Sequence, residues 1–212
     1  MSDRPPAPER VKSLYTDEVR RIASKSMEGL AETKLTPTAL TTAGVLTCLA
    51  GAVLVYFEYQ NEFLFFWLGA ALFVLGSVMD ILDGALARAG SKTTPFGAFI
   101  DSTTDRIGEA AMLGSIGLVF VREGNEVALA FAFAAVVGSM LVSYTRAKAE
   151  LIGLKGDVGF GSRAERVAII TAGLVLAPWG ALSWAIYLLT VSAWITVGQR
   201  VWSVRSQMAA RE

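Results

Sequence analysis

The chain reads as an all-α integral membrane protein, a bundle of six transmembrane helices preceded by an amphipathic juxtamembrane helix. Three observations predict it. Of 212 residues 53% are hydrophobic, and the mean hydropathy of +0.49 lies well above that of an ordinary soluble domain. Apolar stretches long enough to cross a bilayer recur along the chain. Charge also alternates between the connections: eighteen of the nineteen Lys and Arg fall on one side and Arg122 alone on the other. This asymmetry predicts a multi-pass protein of the cell membrane with both termini in the cytoplasm, which agrees with an even number of spans.

Met1 to Lys34 is rich in charge, with Val11, Leu14, Val19, Ile22, Met27 and Leu30 interspersed. It reads as a helix lying along the membrane surface, not as a secretory signal. The first long apolar run opens at Pro37, which suits a first helical turn capped by Thr36. Spans are predicted at Pro37–Phe57, Phe63–Arg88, Gly97–Val121, Val127–Glu150, Arg163–Pro178 and Leu182–Val201. The fifth is short and contains glycine. Residues 1–36 thus form an interfacial segment, 37–202 one six-span domain and 203–212 a cytoplasmic tail. Zero net charge provides no field that favours nucleic acid. The lone Cys48 excludes a disulfide framework and a thiolate metal site. With no histidine present, any metal must be held by oxygen, which favours magnesium, manganese or calcium over zinc.

Four aspartates stand on a fixed grid at the inner edge of the second and third spans: Asp80-x2-Asp83-Gly84-x2-Ala87-Arg88-x8-Gly97-x3-Asp101-x3-Asp105. At 100° per residue, Asp80, Asp83, Gly84, Ala87 and Arg88 fall within about 140° of one another; Gly97, Asp101, Asp105 and Gly108 fall within about 80°. A short turn joins the two helices, so the stripes of antiparallel neighbours can face each other. Asp80 to Arg88 covers about 12 Å of helix, which puts the carboxylates at headgroup depth, where a lipid's phosphates lie. Carboxylates beside a bilayer are costly and usually functional. Four together need compensating positive charge, and bound divalent cations supply it most simply. A cation transporter would instead spread its acids through the membrane depth.

Arginines from three helices approach the same inner face. Ser143 and Arg146 share a face near the end of the fourth span, Arg166 opens the fifth and Arg200 ends the sixth. Their guanidinium forks would suit a phosphate. Lys148 and Arg163 read instead as ordinary cytoplasmic positive charge. Small residues at Gly108, Gly114 and Gly117 permit tight helix contacts.

The aspartate grid resembles the signature of the CDP-alcohol phosphotransferase family, D-x2-D-G-x2-A-R-x8-G-x3-D-x3-D, at every fixed position. The resemblance implies displacement of CMP from a CDP-linked lipid, CDP-diacylglycerol, by an alcohol. It implies two divalent cations, Mg2+ or Mn2+, held by Asp80, Asp83, Asp101 and Asp105, with Asp105 also the general base. It further implies that Gly84, Ala87, Arg88 and Thr94 hold the cytidine nucleotide with Pro37 and Thr38, the last standing where the family carries Asn or Asp. The stretch from Ser143 to Glu150, with Glu165-Arg166, is similar to the branch that accepts inositol 1-phosphate. Two departures from that branch are Arg146-x-Lys148 in place of Lys-x-Arg, and Ala164 in place of proline. Glycerol 3-phosphate is the competing acceptor, since it brings a phosphate too. A homodimer is implied as well.

Overall fold

The computed structural model describes residues 37–89, 94–159 and 161–211. The expected juxtamembrane helix and the Thr36 cap lie outside the described residues. Six α-helices make up the described fold: α1 (Pro37–Tyr56), α2 (Glu62–Ala89), α3 (Pro95–Arg122), α4 (Glu126–Leu151), α5 (Arg163–Val175) and α6 (Leu182–Ala209). Single 3-10 turns at Glu58–Gln60 and Ala177–Trp179 follow α1 and α5.

Local chemistry sets the boundaries. Thr94 Oγ1 accepts from Gly97 N at 2.9 Å and Pro95 occupies the first turn of α3. Asn125 caps α4 by accepting from Ala128 N. Ser162 and Glu165 form a reciprocal capping box at the start of α5. Gly124, at φ 66°, supplies the left-handed residue that turns α3 into α4.

Thr38–Tyr56, Glu62–Gly84, Glu126–Leu151 and Leu182–Ala209 are long and apolar enough to cross a membrane. The other two helices fall short of that measure for different reasons. The inner half of α3 carries Asp101, Asp105, Arg106 and Glu109. At 13 residues, α5 is only about 20 Å long against a hydrocarbon core of about 30 Å. It stops at Val175, before the expected Pro178, because the chain there tightens into the 3-10 turn. At the other extreme α6 runs on to Ala209, with neither Gly nor Pro after Val201 to end it.

The tightest packing is between α1 and α2. Gly44 and Gly51 on α1 meet Gly76 and Gly69 on α2, each pair seven residues apart, two turns of one face. A Cβ added at Gly76 would lie 2.5 Å from Gly44 O, and one at Gly51 would lie 2.9 Å from Gly69 O. Only backbones free of side chains can approach so closely. Of the small residues singled out in the sequence, Gly108 packs on Cys48, whereas Gly114 faces open space. Serine and threonine bridge other helices: Ser115 donates to Ala52 O at 2.6 Å and Thr190 to Phe131 O at 3.0 Å.

The apolar core lies in the middle and outer parts of the bundle, around Phe73, Met112, Ile116, Phe120, Ile170, Ile186 and Leu189. Large apolar side chains such as Leu46, Leu75, Ile81, Phe133 and Leu188 are exposed on the outside, as a lipid-facing surface requires. Of the buried charged residues, Asp83, Glu109, Arg166 and Arg200 gather toward the end that carries the aspartates, and Glu58 lies at the other. At the outer end Arg122 pairs with Glu58 and stacks over Tyr56 at 4.7 Å.

Candidate active site

The C-terminal end of α2 and the N-terminal end of α3 bring Asp80, Asp101 and Asp105 together. One carboxylate oxygen from each lies within 4.8 Å of the other two. The helical period accounts for this: Asp101 and Asp105 are one turn apart on a single face, and Asp80 looks across at them from α2. Asp83 stands apart from the trio. It is 2% exposed and accepts a hydrogen bond from Thr41 Oγ1 on α1. One turn and about 60° around the helix from Asp80, it is aimed at a different neighbour.

Oxygens on opposite sides of one magnesium ion lie about 4.2 Å apart, so the trio needs only a small side-chain adjustment to share a cation. Asp105 Oδ1 is buried, and its close partner is the Arg163 guanidinium, 2.7 Å away without hydrogen-bond alignment. A cavity of about 10 Å³, room for one water-sized body, lies against Asp80, Asp105, Glu109 and Arg163. The all-oxygen donor set and its spacing fit a hard divalent ion.

The positive charge facing the cluster comes from α5. Arg163 bonds to Asp80 Oδ2, and its Nη2 lies 2.7 Å from Asp105 Oδ1. One turn on, Arg166 grips Glu109 with two parallel bonds of 2.7 and 2.8 Å and donates to Gly161 O at 2.7 Å. Asp105 and Glu109 are four residues apart on α3, and Arg163 and Arg166 three apart on α5, so two rungs connect the helices. Neither Arg163 nor Glu109 was expected at the site. The signal was present in those matched spacings, but which helix they would face was not.

The expected phosphate-binding arginines are not poised in an open cavity. Arg166 and Arg200 are 4% and 6% exposed. Arg200 donates to Val158 O at 3.0 Å and to Val142 O, so both arginines tie the loop between α4 and α5 to the bundle. Arg146 is exposed and pairs with Glu150, its i+4 neighbour, at 2.8 Å. Ser143 is half-buried on α4 above it. The bonds described use three of Arg166's five N–H donors and two of Arg200's. Lys148 turns away, over the Tyr144 ring.

Of the residues expected at the nucleotide, Thr94 uses one of its two oxygen lone pairs on the α3 cap. A Cβ at Gly97 would come within 3.0 Å of that hydroxyl oxygen, which explains the glycine there. Thr38 is exposed in the first turn of α1, and Gly84 follows Asp83 in α2. The side chains of Pro37, Ala87 and Arg88 lie outside the described residues.

Residues 34–204 match the CDP-alcohol phosphatidyltransferase family. The chain is 36% identical over 198 residues to an archaetidylinositol phosphate synthase of Pyrococcus horikoshii, covering 92% of this chain and 97% of that protein. It is 34% identical over 200 residues to a phosphatidylinositol phosphate synthase of Mycobacterium marinum, covering 91% and 83%. The crystal structure of Mycobacterium tuberculosis phosphatidylinositol phosphate synthase with CDP-DAG bound superposes with a TM-score of 0.76 at 32% identity, covering 87% of this chain and 94% of that one. The same enzyme in complex with manganese and citrate gives a TM-score of 0.75 at 31% identity, covering 86% and 88%. A match across most of the sequence, and relatives similar along nearly their whole length, establish that the chain belongs to the CDP-alcohol phosphatidyltransferase family.

Proposed function

We propose that this enzyme transfers a phosphatidyl group from CDP-diacylglycerol to the hydroxyl of 1D-myo-inositol 1-phosphate, giving phosphatidylinositol phosphate and CMP. The observation that carries the reading is the convergence of Asp80, Asp101 and Asp105 at the inner end of a membrane bundle. Both relatives quoted above are named for an inositol phosphate product, and they differ in the lipid.

Displacement at a diphosphate needs its charge neutralised, its geometry held in line and a base for the incoming hydroxyl. Two divalent cations, Mg2+ by preference, would be held by the trio and Asp83 and would supply the charge neutralisation. Asp105 takes the proton of the acceptor hydroxyl as its oxygen bonds to the lipid-bearing phosphorus. The bond from that phosphorus to the CMP oxygen breaks, and CMP leaves with the electron pair. Gly84, Ala87, Arg88 and Thr94, with Pro37 and Thr38, hold the nucleotide. Ser143 and Arg146 would take the acceptor's phosphate, with the nearby positive charge of Arg166 and Arg200 adding to the attraction.

An apolar groove of about 640 Å³ supports the lipid part of this reading. It runs between α2 and α5 from Trp67 to Val78, with Val74, Leu75 and Val175 among its walls, and ends two residues from Asp80. That length of α2 is about 16 Å, which suits an acyl chain whose diphosphate sits at the aspartates. The six-helix bundle then crosses the cell membrane, with both termini and the site cytoplasmic and the short α5 packed within it. The functional unit is a homodimer.

The test is product formation by purified protein in lipid vesicles with Mg2+ and CDP-diacylglycerol, given either inositol 1-phosphate or glycerol 3-phosphate. CMP release with a phosphatidylinositol phosphate mass is expected for the first alone. Turnover with glycerol 3-phosphate alone would reassign the acceptor, and no release with either would overturn the reading.

A further inference from the structure

A cation in the first turn of a helix opposes the helix dipole and is out of place there without an anionic partner. Arg163 is in that position on α5, and the Ser162–Glu165 capping box completes the helix start without it. Its partners are Asp80 and Asp105, two of the three clustered carboxylates, and it contacts the very oxygen of Asp105 that no hydrogen bond satisfies. Arg163 and a divalent ion therefore need the same lone pairs. A guanidinium held this close to a doubly charged ion would also be repelled by it.

We propose that Arg163 is a built-in counter-ion that competes with the metal: it bridges Asp80 and Asp105 in the metal-free enzyme and must swing out when the site is loaded. The inference rests on the metal-site reading above. Its side chain is 27% exposed at the inner surface, so the guanidinium can leave for water while the capping box holds α5 in place. The next rung cannot do this. Arg166 and Glu109 are 4% and 6% exposed and are matched donor to acceptor, which keeps α5 aligned on α3 while Arg163 moves. Metal affinity then includes the work of displacing Arg163, and the aspartates stay neutralised whenever the metal leaves.

Mn2+ binding to the full-length protein, read from the electron paramagnetic resonance signal of free Mn2+, tests this without turnover. When a binding-competent state is only fractionally populated, apparent affinity falls by that fraction, so Arg163→Ala is expected to bind Mn2+ about tenfold more tightly than wild type. Its melting temperature is expected to fall by about 2–4 °C without metal and to match wild type at saturating Mn2+. Arg163→Lys, which keeps the charge but loses the fork, should lie between the two. Unchanged or weaker Mn2+ binding in Arg163→Ala, with the protein folded, would make Arg163 a bystander or a support for the aspartates and overturn the proposal. Saturable Mn2+ binding by wild type, lost in Asp101→Asn, keeps the metal-site reading whatever Arg163 does. Absence of binding in every variant would sink both.

Discussion

Two ion-pair rungs join α3 to α5, one turn apart and alike in chemistry, yet they have opposite characters. Arg166 and Glu109 are sealed from solvent and joined by two aligned bonds, with a backbone carbonyl taking a third. Arg163 reaches two carboxylates that have a third beside them, and it is a quarter exposed. Burial makes the first rung a strut, because neither charge can be left alone in a low-dielectric interior. Partial exposure and an excess of negative charge make the second exchangeable. The same residue types at matched spacing therefore make a closed pair at Glu109 and an open one at Asp105, where the proposed chemistry sits.

The largest effect should come from the chemical rung. Asp105→Asn keeps size and helix propensity but would remove the proposed ligand and base, and should cut CMP release by at least about a thousandfold with the melting temperature nearly unchanged. Loss of folding in place of loss of rate would put Asp105 in the structural class. The strut should show the reverse pattern. Glu109→Gln strands the Arg166 charge and is expected to cost about 3–5 kcal/mol in denaturant unfolding. The double change Glu109→Leu with Arg166→Leu should recover most of that stability, and a failure to recover would mean the pair does more than brace α5.

Smaller effects separate packed from open glycines. Gly76→Ala, whose Cβ would meet Gly44 O and Cys48 Sγ at 2.5 Å, should destabilise by about 1–3 kcal/mol. Gly114→Ala meets nothing within 4 Å and should stabilise by about 0.5–1 kcal/mol through helix propensity. Arg122→Ala, which leaves the buried Glu58 carboxylate without its partner, should cost about 1–3 kcal/mol. A larger loss there would show that the aromatic contacts with Tyr56 and Tyr59 matter more than the charge.

Periodicity made much of this legible in advance. The convergence of Asp80, Asp101 and Asp105 follows from their spacing on helices joined by a short turn, and α1 and α4 begin and end within one residue of the expected spans. Contacts between helices distant in sequence were beyond its reach. Asp83 shares a stripe with Asp80, but its partner Thr41 is 42 residues away. Arg163 reads as surface charge until α5 is placed beside α2 and α3. Arg166 and Arg200 read as free anion ligands because their backbone acceptors, Gly161, Val158 and Val142, leave no mark in a sequence. Likewise nothing in composition tells Gly76, buried in a helix crossing, from Gly114, which faces open space.

The most direct test of the account is anomalous diffraction at the manganese edge from crystals of the enzyme grown with Mn2+. The account predicts manganese peaks ligated by oxygens of Asp80, Asp101 and Asp105, with the Arg163 guanidinium turned away from them. A peak elsewhere, or none at saturating Mn2+ with the aspartates still held by Arg163, would contradict it.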